Sequence, residues 1–464
     1  MIRFLLMIFL ISSILSYSQQ KEMIVVIGDS LIGRVINGES IREVSGNVIL
    51  TQGNVRITCR KAIQYLSRND AELIGDVVAT QDTLTIKTER GFYFGNLRKT
   101  SSTSGVILDD KKVILTADAG EYFFDENRAV FQSNVKLFDT TSTLTSQQLI
   151  YLRNEDRAIA TNNVKIIDSV NTIFADTIDH FRKSQITFAS GNVVIKNNEN
   201  NSLVFGEHLE DYRQNKYTII DNLPMLVQVD TSKSVDSLGF ETIRLDTLFI
   251  QCKTMEVYRE PVQKFIATDS VIIIRDLFSS KNDLTVYLKD EEKIITQKIS
   301  DEHNQPVLWY DNSQLTGDSV TIYIEDKRIR ELDVDGNAFM VSQNKNFNQR
   351  FDQSSASSIK MFFEDNKIQR AEFFGNVYSI YYLYEEEQPN GLMKANSKDA
   401  VILFEDNEVS EVKLYGSPGS EYYPEQQVNG NEKSYLLPKF IFIKDRPDKQ
   451  KMYDQLNRIK WQLH

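Results

Sequence analysis

The sequence predicts an all-β fold, an elongated antiparallel stack of strands built from repeats of about 29 residues. Three observations carry that prediction. Valine recurs at Val48, Val77, Val106, Val135, Val164 and Val193 without a slip in spacing. Within a unit the period is two: Ala129, Phe131, Val135 and Leu137 fall on one side, and Gln132, Asn134 and Lys136 on the other. Such alternation buries one face of a strand and wets the other. Tight polar turns such as Asp125-Glu-Asn-Arg128 and Arg213-Gln-Asn-Lys216 separate the strands, and no proline precedes Pro224. Proline would delete a ladder hydrogen bond from a strand paired on both sides.

The chain opens with Arg3, an apolar run over residues 4–11 and small residues at Ser16 and Ser18. This is the layout of a secretory signal peptide, with cleavage expected after Ser18. The run is short for a membrane span, which needs about 20 residues, and no later segment is long and apolar enough to cross as a helix. The mature chain is therefore expected to be exported and to lack a transmembrane segment.

Residues 19–235 form the regular repeat. Beside the valines run the apolar columns Leu50, Ala79, Leu108, Leu137, Ile166, Ile195 and Ile57, Ile86, Leu115, Leu144, Ile173. A further column is Tyr65, Phe94, Phe123, Leu152, Phe181. Ahead of each valine stand small or polar pairs such as Gly46-Asn47, Gly75-Asp76, Ser133-Asn134 and Gly191-Asn192. A glycine inside a strand marks a bulge or bend. The stretch from Asn222 to Pro306 is least regular and is expected to hold a domain junction, with a second, looser repeat domain over 236–425. Its copies begin at Asp318, Ser357 and Asp399, with loops expected to absorb the polar insertions at Asn344–Asn348 and Glu385–Gly391. Residues 426–464 form a tail in which Pro447–Trp461 has the spacing of a short helix, a terminal cap.

Composition bounds the function. Hydrophobic residues make up 41% and aromatics 10%, enough for a sizeable core, while the net charge is -12 with Lys and Arg scattered among Asp and Glu. That excludes the clustered basic surface that nucleic acid requires. Cys59 and Cys252 sit in similar local patterns far apart in the chain and are expected to be free thiols. No His or Cys pair has ligand spacing, so neither a metal nor a cofactor is expected.

Enzyme readings fare poorly. Gly28-Asp-Ser-Leu31 after an apolar strand resembles the nucleophile block of GDSL esterases. None of His180, His208, His303 and His464 follows an Asp at that family's spacing, and the helices of its α/β fold are missing. A carbohydrate-active right-handed β-helix has coils nearer 20–25 residues, running in one direction. The carboxylate pairs Asp109-Asp110 and Glu291-Glu292 lie in predicted turns, where solvated charge is expected.

The pattern Thr116-Ala-Asp…Tyr122…Asp125-Glu-Asn-Arg-Ala-Val-Phe…Ser-Asn-Val-Lys-Leu137 resembles the OstA-like (organic-solvent-tolerance-like) family. This is the domain of LptA-like lipopolysaccharide-transport bridges and of the periplasmic part of LptD. The resemblance spans about Met23 to Gly416, apart from the irregular middle. It implies a β-jellyroll whose apolar interior holds the acyl chains of lipopolysaccharide, in the periplasm or at the outer membrane. It also implies partners of the same fold joined edge strand to edge strand. LptA is shorter, and LptD carries a barrel for which there is no room here, so a long bridge-like relative is expected. The candidate lining is Val77, Val106, Leu108, Phe131, Val135, Leu137, Val164, Ile166, Val193 and Ile195. A structural or adhesive repeat protein with a dry core is the alternative, since aliphatic columns more often make core than ligand site.

Overall fold

The computed structural model describes residues 22–199, 202–235, 241–300, 303–325, 328–364, 367–405 and 408–462. The expected leader, its cleavage site and the start of the expected second domain at 236 lie outside those residues. Strands dominate, with two α-helices near the end, α1 (Glu425–Val428) and α2 (Lys449–Gln462). The chain forms two compact units: one reaches Thr140 and includes Gln148–Asn154, and the other comprises Thr141–Gln147 and everything from Glu155 onward.

In the first unit the strand Glu39–Gln52 pairs antiparallel with Val55–Tyr65, that with Asp70–Gln81, and that with Leu84–Phe94. The second unit continues in the same manner through Arg157–Ile167, Asn171–Phe181, Ile186–Asn197 and Ser202–Tyr212. Strands between Asn222 and Pro306 pair as regularly, for example Lys264–Arg275 with Phe278–Leu288. What loosens there is the side-chain pattern; the backbone ladder continues.

The strands that carry a small-polar pair bulge there. Two successive residues take positive φ, as at Gly46 (75°) and Asn47 (44°), Ser133 (63°) and Asn134 (52°), and Gly191 (74°) and Asn192 (48°). The register shifts there, between Ser45 and Val48, Ile74 and Val77, and Ser190 and Val193. A carboxylate from the neighbouring strand latches several of these bulges. Asn47 donates to Asp29 at 2.9 Å, Asn134 to Asp118 at 2.6 Å, Asn192 to Asp176 at 2.9 Å and Asn337 to Asp318 at 2.8 Å. At Gly191 the latch leaves no room for a side chain, because a Cβ there would collide with the Asp176 carboxylate. Left-handed φ favours glycine for the same position.

The hairpin turns repeat in the same way. Asn69, Arg98 and Asn127 in the first unit, and Asp156 and Gln185 in the second, all take positive φ. Their carbonyls accept the amides of Gly95, Phe124, Arg153, Arg182 and Arg213 in turn, so within each unit neighbouring turns are bonded to one another. The insertion at Glu385–Gly391 is not a loop. Its residues extend a hairpin, with Glu385 opposite Gln388 and a two-residue turn at Glu386-Glu387, both at positive φ. Lengthening a paired ladder satisfies backbone groups that a loop would leave to water.

Candidate functional site: the apolar interior

The candidate lining residues lie inward on strands of both units. In the first, Val77, Val106, Leu108, Phe131, Val135 and Leu137 are all at most 5% exposed, whereas Lys136 is exposed. In the second, Val164 and Val193 are equally buried, but Ile166 and Ile195 are only half-buried. There Val194 joins the buried cluster beside Ile195.

The aromatic column read from the sequence faces the other way. Tyr65, Phe94, Phe123 and Phe181 are half-buried on the outer face, where cationic side chains cover their rings. Arg68 lies 4.3 Å from the Tyr65 centroid, Arg128 4.0 Å from Phe123 and Arg157 4.6 Å from Phe181. One residue earlier stands the buried column Tyr93, Tyr122 and Tyr151, each at most 1% exposed.

Tyr93 and Tyr151 belong to a polar clasp that closes the first unit, whereas Tyr122 donates to Asn127 at 3.2 Å. Tyr93 donates its hydroxyl to Gln52 at 2.5 Å, and Gln52 donates to the Gly95 carbonyl at 3.0 Å. Tyr151 donates to Asp110 at 2.6 Å. Gln52 and Asp110 end the part of a strand beyond the bulge, while Tyr93 and Tyr151 sit near the turns before it. The two halves of the bent sheet therefore meet at these bonds, with the valine and leucine columns enclosed between them. Asp110 is only 3% exposed and also accepts the amides of Lys112 and Val113, both at 2.9 Å. The expectation of solvated charge at Asp109-Asp110 fails for Asp110, because a carboxylate with three donors tolerates burial. The clasp was legible in principle: Gln52 and Asp110, like Tyr93 and Tyr151, stand two repeats apart.

The second unit is built differently. An open cavity of about 1430 Å³ runs along its bulges, lined by Val271, Ile272, Trp309, Phe339, Ile441 and Ile443 among others. Lys281, Lys298, His303 and Lys439 also line it. The tail fills the neighbouring apolar surface. Met452 and Leu456 of α2 are buried against Val194, Phe205, Met225, Val227, Phe249 and Ile274. Tyr453 stacks edge-on to Phe249 at 4.9 Å and donates to the Thr247 hydroxyl at 2.9 Å. The helix expected from the spacing is present, but it returns to the strands around residues 194–274 instead of covering the last strands.

The enzyme-like features have structural partners. Ser30 begins an exposed strand, Ser30–Ile36, and pairs with Ser45, so no strand-to-helix elbow presents it. His180 bonds Thr187, His208 bonds Glu210 and His303 bonds Ser300; His464 lies outside the described residues. Glu291 and Glu292 are exposed. Cys59 and Cys252 are free and buried, each near a carbonyl, Lys61 at 3.2 Å and Thr254 at 3.1 Å. Burial pushes the Cys252 thiol up to about 12 and raises that of Cys59. Among the described residues no helix is long and apolar enough to cross a membrane.

The fold and its enclosed columns define an all-β repeat protein with a lined interior. Residues 21–176 match the family described as OstA-like protein. A solved structure similar to part of the chain is LptH, the LptA homologous periplasmic component of the conserved lipopolysaccharide transport device from Pseudomonas aeruginosa. The two are 15% identical over 32% of this chain and 97% of that one, with a TM-score of 0.18. None of the curated proteins matches the chain.

Proposed function

We propose that this protein is an exported, non-catalytic carrier that holds the acyl chains of lipopolysaccharide in its apolar interior and serves as a bridge in outer-membrane biogenesis. The observation that carries the reading is the OstA-like match over residues 21–176, on strands whose valine column is buried throughout. The cavity of about 1430 Å³ in the second unit supports it, being larger than the roughly 300–1,000 Å³ of ordinary small-molecule sites. Partners of the same fold are proposed to add at the exposed strand Ser30–Ile36.

The near-complete burial of Val106, Val135 and Val164 favours a second reading, a structural repeat protein with a dry core. A photo-crosslinking residue at Val135, at Val164 or at Phe339 beside the cavity separates the two. In living cells the carrier reading expects capture of lipopolysaccharide at one or more of these and little at Lys136. Capture of protein alone at every inward position would leave the dry core standing. Val135→Glu is expected to destabilise the fold under both readings and discriminates neither.

A further inference from the structure

The two units close their interiors by different means, and the difference points to a mobile occupant. In the first, the Gln52–Tyr93 and Asp110–Tyr151 bonds of its own strands draw the halves together. In the second, the tail supplies the closing groups. Leu437 is buried among Phe339, Val341, Ile380 and Leu392, and the Phe440 and Phe442 rings stand 5.3 Å and 4.9 Å from that of Phe351. Farther on, α2 covers the apolar surface around Phe249.

The way the tail is held differs from the way the strands are held. Residues 437–448 form no strand and join no ladder. Their backbone is gripped by side chains instead. Gln353, 1% exposed, accepts the Leu437 amide at 2.9 Å. Gln314, equally buried, donates to the Ile441 carbonyl at 2.9 Å and accepts the Ile443 amide at 2.8 Å. Arg446 reaches the Ser279 hydroxyl at 3.1 Å and the carbonyls of Leu277 and Asp311. Lys281 pairs with Asp445. A segment fixed this way can leave without a strand pairing being broken. Pro438, Lys439, Ile441 and Ile443 form one wall of the second unit's cavity.

We infer that the C-terminal segment from Leu437 through α2 is an exchangeable occupant of the second unit's groove, a built-in stand-in for acyl chains that lipid must displace. The ligand class is an amphiphile with an anionic head. Its chains would replace Ile441, Ile443, Met452 and Leu456 on the apolar wall, and Lys281 and Lys298 would meet its charge. This rests on the carrier reading above and adds its regulation: the apolar surface under the segment stays covered until lipid arrives. A site whose open state is a minor population binds with an apparent affinity reduced by that population.

The test uses the full chain with purified rough-type lipopolysaccharide carrying a fluorophore. In the wild type, adding the probe is expected to speed amide exchange over residues 437–456, because coupling between strap and lipid is reciprocal. Met452→Ser with Leu456→Ser, and separately the gentler Arg446→Ala, are expected to loosen the strap and tighten binding by about ten-fold. The melting of the β signal is followed alongside; should the serine variant prove unfolded, Arg446→Ala decides. If a photo-crosslinker at Val135 or Phe339 captures the probe while the strap stays protected and the affinity of the loosened protein is unchanged, the strap is permanent core. That outcome overturns the inference and leaves the carrier reading intact. If no variant binds the probe and no inward position captures it, both fall together.

Discussion

Asp352 is a carboxylate held where charge is unwelcome. Burial pushes it up to about 6, against an opposing pull from the Tyr382 amide, which it accepts at 2.8 Å. The nearby Arg350 is engaged elsewhere, paired with Glu425 at 2.6 Å and Glu432 at 3.7 Å. Because the folded value lies above the ordinary one, the native state holds this proton more tightly than the unfolded chain. The stabilisation is therefore full below about pH 4 and is lost as pH rises towards about 6. Asp352→Asn keeps an acceptor for Tyr382 and removes the charge. It is expected to be more stable than the wild type at about pH 7.5, by on the order of 2 kcal/mol, with the gap closing near pH 4. Denaturant unfolding at the two pH values checks this; an equal gap at both would place the effect elsewhere. Nothing in the sequence around Phe351-Asp352-Gln353 announces such a site, since its partner is the Tyr382 amide on another strand.

Among elements, the bulged strand and its hairpin were the most legible. The small-polar pairs gave the bulges and the polar tetrapeptides gave the turns, because both need positive φ that few residue types tolerate. The Asp latches and the Gln–Tyr clasp were written in the same period but join residues on different strands, and one sequence shows a column without showing what it faces. The strand Ser30–Ile36 is an element with an unfinished side. It pairs only with Glu39–Gln52 among the described residues and leaves Leu31 55% and Val35 72% exposed. Such an edge invites another strand. Val35→Lys, a charge of the kind that blunts natural edges, is expected to weaken self-association or partner binding by about ten-fold while sparing the melting temperature. Gel filtration across a concentration series reads it, and identical elution of the two proteins at every concentration would argue that this edge is idle.

At the scale of the molecule, the two units share a repeat and differ in what completes them. Removing the chain beyond Tyr435 deprives the second unit of the groups that satisfy Gln314 and Gln353. A buried polar group left without a partner costs about 1–3 kcal/mol. Amide exchange in the truncated protein is therefore expected to rise over Ser313–Thr316 and Phe351–Glu364. The strands of the first unit, whose clasp is their own, should be unchanged, as nearest-neighbour coupling in repeat proteins allows. A uniform rise across both units would contradict this division of labour.

The sequence by itself determined the strand class, the repeat, the bulge positions, the turns, the inward valine and leucine columns and the terminal helix. All of these follow from local steric preference and two-residue alternation, which a linear reading can count. Only the tertiary structure decided that Tyr93 and Tyr151 are the buried rings while Phe94 and Phe123 lie under cations. It also decided that Asp110 is a buried clasp and that the second unit keeps a cavity. Where the tail lies was equally hidden. Gln314 and Gln353 look like ordinary polar strand residues until a segment more than 80 positions later supplies their partners. The physical reason is the same in each case: a repeat fixes which residues share a face, and only the closure of one face upon another fixes what that face meets.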